Sequence, residues 1–235
     1  MNKSKYLRPL SAKGSATTMK ICDLYDLNHT MAAEYLAGFE YPWQALTGIK
    51  ELILALGPQL GDDYNEVAPT VWVHKTATVF PSAYLGAPCI IGAGTEVRHC
   101  AFIRGSALVG ENCVVGNSVE LKNVILFDNV QVPHYNYVGD SILGYKSHLG
   151  AGSVTSNVKS DKTLVVVKNG TEKIETGLKK FGAMLGDFVE VGCNSVLNPG
   201  TVIGRHSNVY PTSCVRGFLP ENHIWKNDGI VVAKR

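Results

Sequence analysis

This 235-residue sequence predicts an all-β chain wound as a parallel β-helix of hexapeptide repeats, and three observations carry that reading. First, Val73, Val79, Leu85, Ile91, Val97, Ile103, Val109, Val115, Leu121 and Phe127 stand six residues apart, and all are bulky and apolar. With 45% hydrophobic residues, ten such hits in one frame arise by chance about once in three thousand trials. Second, the residue four places after an anchor is small at Ala83, Cys89, Thr95, Ala101, Ala107 and Cys113, where the wall of a hollow prism turns a corner. Third, after a faltering stretch beyond Pro133, the same frame returns at Leu185, Val191, Leu197, Ile203, Val209 and Val215.

The elements follow in order. Residues 1–18 carry Lys3, Lys5, Arg8 and Lys13 with no acid and no apolar stretch of the kind a secretory signal needs, so they read as a flexible basic tail. Residues 19–70 read as a helical cap over the open end of the prism. Residues 31–38 and 43–56 have helical patterning, and Gly57-Pro58 is the stop. Residues 71–235 form the β-helix, each buried anchor contributing about 1.5–3 kcal/mol. Three hexads make a coil, so residues 18 apart stack as neighbours about 4.8 Å apart. An excursion loop is expected at about 155–184, where an alternating Leu164–Val167 run is followed by the hairpin signal Asn169-Gly170.

Composition narrows the function. A net charge of +2 without clustered cations argues against a nucleic-acid surface, and no run of 18 apolar residues offers a membrane span. Cysteines 22, 89, 100, 113, 193 and 214 form no C-x-x-C pair and read as packing residues in a reducing cytoplasm.

The stacking rule places Arg104 and Lys122, 18 residues apart, one above the other. Two unscreened cations at that spacing repel, and an anion held between them, such as a phosphate group, resolves the conflict. Glu120 lies close by. His134, Tyr137 and Asp140 follow in a polar, aromatic break of the register, where a histidine of near-neutral pKa suits a general base.

The run Glu120, Lys122, His134-x-x-Tyr137-x-Gly139-Asp140, Gly150-Ala151-Gly152 and Asn157 resembles the acetyltransferase domain of bifunctional glucosamine-1-phosphate acetyltransferase/N-acetylglucosamine-1-phosphate uridylyltransferase. Thr176-Gly177-Leu178-Lys179-Lys180-Phe181-Gly182-Ala183 resembles its archaeal sugar-1-phosphate nucleotidylyltransferase relatives. The resemblance covers about residues 70–220. It implies a left-handed β-helix assembled as a homotrimer, using acetyl-CoA as co-substrate and no metal. His134 would be the base that deprotonates the sugar amine, and the Ala151 N–H the donor to the thioester oxyanion. Arg104 and Lys122 would hold the sugar phosphate, with Lys162 assigned to assist from the excursion loop although the family lysine aligns at Thr163. Glu120, Tyr137 and Asn157 would bind hydroxyls and amine, and Ala151, Cys193 and Pro211 would line the coenzyme strip.

Three departures qualify the resemblance. The first 70 residues are too short for a nucleotide-binding α/β domain and lack its glycine-rich phosphate loop, so uridylyl transfer is not expected. His148 stands where the bacterial family has Asn near the sugar, which points to a different hexosamine or stereochemistry. Cys193 and Pro211 replace the usual small residues of the coenzyme strip. A second reading is therefore a non-catalytic sugar-phosphate or sugar-nucleotide binding module that partners a separate nucleotidyltransferase. A zinc carbonic anhydrase, which shares this architecture, needs two histidines five residues apart, and no pair here has that spacing.

Overall fold

The computed structural model describes residues 19–235, so the tail expected over 1–18 lies outside the described residues. From Val71 onward the chain winds as a β-helix of short parallel strands. The 18-residue rule holds in the first coils: Val73 pairs with Ile91 and Ile91 with Val109, Val79 with Val97 and Val97 with Val115, and Leu85 with Ile103 and Ile103 with Leu121. Anchors Ile91 to Phe127 are all sealed from solvent, while Val79 and Leu85 on the first coil are half-buried. Leu185, Val191, Leu197, Ile203, Val209 and Val215 are buried as expected.

The register slips earlier than the spacing indicates. Val109 lies opposite Leu126, not Phe127, and Leu121 lies opposite Val138, so the coil has shrunk to 17 residues before Pro133 is reached. The missing residue is lost at one corner, where Asn123 and then Asp140 turn the chain with φ of 54° and 47°. Asn and Asp tolerate this left-handed region better than most side chains, which makes a tight corner affordable there. Glu120–Leu126 and Tyr137–Leu143 run through that corner as continuous seven-residue strands.

The excursion leaves after Thr155 and returns at Ala183. Within it Val166–Asn169 and Glu172–Glu175 form the expected antiparallel hairpin. The prism is not interrupted, because Leu143 pairs directly with Leu185 and Thr155 with Leu197.

The N-terminal region does not sit over the open end. Its short helices Ile21–Leu24, Ala33–Ala37 and Ile49–Leu56, with the 3-10 turn Pro42–Gly48, lie along one wall. That wall presents an outward apolar column of Trp72, Ile90, Leu108, Ile125, Ile142, Met184 and Val202, matched rung by rung. All seven are 7% exposed or less, because the helices cover them. Helix Ile49–Leu56 packs on strands Ala107–Val109 and Glu120–Leu126, and the Trp43 ring lies 5.7 Å from that of Phe181. Hydrogen bonds pin the cladding: Asn123 Nδ2 donates to the Leu46 carbonyl at 3.0 Å and Asp187 N to that of Leu24 at 3.0 Å. The end strand is covered instead by Tyr64–Ala68, antiparallel to Val71–His74.

Candidate functional site

Two groups of side chains flank one corner of the prism. On the wall before the corner, the registers Gln131–His148, Leu149–Val191 and Val191–Val209 place His134, Ala151, Cys193 and Pro211 on successive rungs of one column. The rungs are joined by Gly152 N donating to the His134 carbonyl at 3.0 Å, Asn194 N to Ala151 at 2.8 Å and Thr212 N to Cys193 at 2.8 Å. His134, Cys193 and Pro211 are exposed and Ala151 is half-exposed. Beside the column the wall is pared to backbone, since a Cβ on Gly150 would meet the Cys193 nitrogen at 2.6 Å. The result is an exposed column of rungs with His134 at one end.

The corner is set by Asn136, which is 2% exposed. Its amide donates to the carbonyls of Gly150 at 2.9 Å and Ser153 at 3.1 Å, and its oxygen accepts from His134 N at 3.2 Å. One buried side chain thus ties the His134 rung to the Ala151 rung. Its pattern of two bonds donated and one accepted is a local signal that the spacing of apolar anchors does not carry.

On the wall after the corner, Arg104 and Lys122 do share a face, because Glu120 and Leu121 lie opposite Phe102 and Ile103. The inference that an anion must separate them does not hold, since each has its own carboxylate. Arg104 Nη1 meets Glu120 Oε1 at 2.8 Å, and Lys122 Nζ meets Asp140 Oδ1 at 3.0 Å. Asp140, 3% exposed, also accepts from Asn123 Nδ2 at 2.9 Å and from Asn157 Nδ2. The four charges sum to zero. Anion binding there rests on the donors left over, and a guanidinium has five N–H donors of which Glu120 takes one. Arg104 is the more exposed cation, whereas Lys122 gives both of its 3.0 and 3.3 Å contacts to Asp140 and serves to position it.

Tyr137 stands opposite Glu120, and its hydroxyl lies where a Cβ on Gly139 would be, 2.4 Å away, so this glycine makes room for the ring. Burial, and then the Asp140 and Glu120 carboxylates, push the Tyr137 phenol above its ordinary value and keep it a neutral hydrogen-bonding group. Arg104, Glu120, Lys122, Tyr137 and Asn157 therefore assemble, with Asp140 and Asn123 as members that spacing alone did not assign to the site.

The remaining candidates lie apart. His148 is on the His134 wall but three residues along it, about 10 Å away, with Nδ1 2.8 Å from Glu190 Oε2. Lys162 is exposed in a turn of the excursion, where its N–H donates to the Lys159 carbonyl at 3.0 Å, and it takes no part in the Asp140 cluster. Among the described residues no three His, Cys, Asp or Glu side chains converge as a metal would require, and no helix is long and apolar enough to cross a membrane.

Comparison with known proteins places this geometry. A family model described as the GMPPB C-terminal domain matches residues 101–204. The bifunctional protein GlmU of Methanococcus maripaludis is 32% identical over 117 residues, 49% of this chain and 28% of its own length. That of Nostoc sp. is 35% identical over 179 residues, 76% of this chain and 33% of its own. The chain contains a hexapeptide-repeat, left-handed β-helix domain related to that of GlmU-type proteins. It spans about a third or less of the length of these curated relatives. Among solved structures, the polySia-specific acetyltransferase NeuO is similar with a TM-score of 0.46 and 11% identity, over 67% of this chain and 80% of that one. The span matched by the family model takes in the Arg104 cluster with His134, Ala151 and Cys193, and leaves out Pro211.

Proposed function

We propose that this chain is an acetyl-CoA-dependent N-acetyltransferase acting on a hexosamine 1-phosphate in the cytoplasm, and that it works as a homotrimer. The observation that carries the reading is the placement of His134 and Ala151 on consecutive rungs of one exposed column. Direct acyl transfer needs a base, an oriented amine and a donor to the developing oxyanion within such a span. The amine nitrogen attacks the thioester carbonyl carbon and loses its proton to His134. The Ala151 N–H stabilises the tetrahedral oxyanion, which collapses with cleavage of the C–S bond. The departing coenzyme A thiolate takes the proton back from the imidazolium. Arg104 would grip the phosphate, and Glu120, Tyr137 and Asn157 the sugar.

The two groups sit on different walls, so a ligand held by both is best served by the His134 column of one copy facing the Arg104 wall of another. The Arg104 wall suits such a contact. It exposes Tyr84, Phe102 and Val196 at 61%, 42% and 37% in one outward column with Glu120 and Tyr137. A residue from the neighbouring copy would also bring the further cation that a neutral cluster lacks for a dianion.

The test is thiol release from acetyl-CoA with glucosamine 1-phosphate or galactosamine 1-phosphate, on protein whose native mass corresponds to three chains. Release with one sugar and not with water alone supports the reading, and no release with either sinks it. A second expected result uses the cysteines. Cys193 is exposed on the coenzyme column, while burial pushes the Cys89 and Cys113 thiols up to about 12. Maleimide at pH 8, read by peptide mass spectrometry, should modify Cys193 and spare Cys89 and Cys113. Acetyl-CoA should slow modification of Cys193 but not of exposed Cys22. Equal rates with and without acetyl-CoA would place the coenzyme elsewhere.

A further inference from the structure

A cavity of about 590 Å3 lies between the N-terminal cladding and the last coils, away from the His134 corner. Ile21, Leu27, Ala37 and Phe39 give it an apolar lining, and Arg205 reaches it from the prism. The Arg205 side chain is 28% exposed, and among the described residues it meets one partner, Asp187 Oδ2, at 3.4 Å. Asp187 is already served by the backbone N–H groups of Asp26 at 2.7 Å and Tyr145 at 2.9 Å, one on each oxygen. Among the described residues Arg205 Nε is buried with no hydrogen-bond partner, and the donors left for the cavity are those of the terminal nitrogens not given to Asp187. An unpaired buried donor is costly, and a planar fork with uncommitted donors at the wall of an apolar cavity suits a planar acceptor that also has apolar surface to bury.

We propose that this cavity binds an organic monocarboxylate with an apolar body, its carboxylate on Arg205. Charge favours a monoanion, because Lys20 at the rim is paired with Glu40 at 3.0 Å and Asp26 adds a second carboxylate to the lining. A dianionic phosphate would face both. The site bridges Ile21–Leu27 to the prism, so its ligand would stabilise the folded chain by mass action.

Calorimetry and thermal melting of the full chain, without acetyl-CoA, would use octanoate as probe and 1-octanol and octyl phosphate as comparisons. Octanoate should bind and raise Tm, with 1-octanol and octyl phosphate each weaker by at least about tenfold. Arg205→Lys keeps the charge beside Asp187 but loses the fork, and should weaken octanoate by a similar factor. Ala37→Trp, a substitution at an exposed position of the rim, should abolish binding by filling the space while leaving the unliganded Tm near that of the parent, and it decides the matter if the Arg205 variant fails to fold. No binding of octanoate at millimolar concentration, equal binding of 1-octanol, or unchanged binding in the Ala37→Trp protein would overturn the proposal. None of these readings depends on acetyl transfer.

Discussion

Replacing His134 with alanine is expected to lower the rate of acetyl transfer by about 10²- to 10⁴-fold, the range for loss of a positioned general base, with a much smaller change in KM for the sugar phosphate. The geometry supports a specific loss of this kind. His134 is exposed at the end of Gln131–His134, so its removal leaves no cavity in the prism. The two rungs are joined by the backbone bond from Gly152 and by the Asn136 amide, and both survive the substitution. The Arg104 cluster lies around the corner and keeps its contacts. Turnover is measured by thiol release and sugar affinity by calorimetry on the same samples. A variant that turns over at the parental rate would remove His134 from the chemistry. A parent that binds the sugar phosphate but never turns over would favour the binding module.

The period of six was legible because every coil needs its interior filled, and burial of Ile91 to Leu121 follows from that need alone. Phe127 shows the limit. It is buried and apolar, as the frame demands, yet it packs on Tyr25 of the N-terminal region with ring centroids 5.0 Å apart, while Leu126 takes the place opposite Val109. Periodicity cannot tell the inside of a wall from an outside that something else covers. The information was present in another form: Cys89-Ile90-Ile91, Ala107-Leu108-Val109 and Val124-Ile125-Leu126 are unbroken apolar triplets, buried on both faces. A strand with one wet face alternates, and these do not. Read that way, they predict a wall clad by the helices, not a cap over the end.

The site was partly legible for the same reason. The 18-residue rule correctly put Arg104 and Lys122 on one face, but the electrostatic step that followed considered only the two cations. Glu120 and Asp140 were both in view along the chain. Glu120 reaches Arg104 diagonally within the 18-residue register, two places along from its partner Phe102. Asp140 reaches Lys122 at the corner that is one residue short, and a one-residue loss is invisible to a count of hexads that skips from Leu121 to Phe127. His134 and Ala151, by contrast, lie 17 residues apart in a coil of 17, so their adjacency becomes a matter of register once the short corner is known.

That short corner leads to the second large effect. Asp140→Ala is expected to cost about 3–5 kcal/mol of folding stability, seen as a lower urea midpoint. The Asp140 side chain is 5% exposed and accepts from Lys122, Asn123 and Asn157, so its removal strands the ammonium of a side chain that is only 27% exposed and two amides. Alanine also fits the φ of 47° poorly. Asp140→Asn, which tolerates that backbone and keeps an acceptor, should lose less, about 1–3 kcal/mol. Pairing Asp140→Ala with Lys122→Met removes the stranded charge, and the double variant should recover part of the loss, because a buried ion pair replaced by apolar groups is often near neutral. A double variant no more stable than Asp140→Ala alone would show that backbone strain, not the uncompensated ammonium, sets the cost. The functional consequence follows from the same contacts. Asn157 loses its carboxylate partner while the backbone bonds at His134 and Ala151 are untouched, so the loosened cluster should raise KM for the sugar phosphate and leave the protection of Cys193 by acetyl-CoA unchanged.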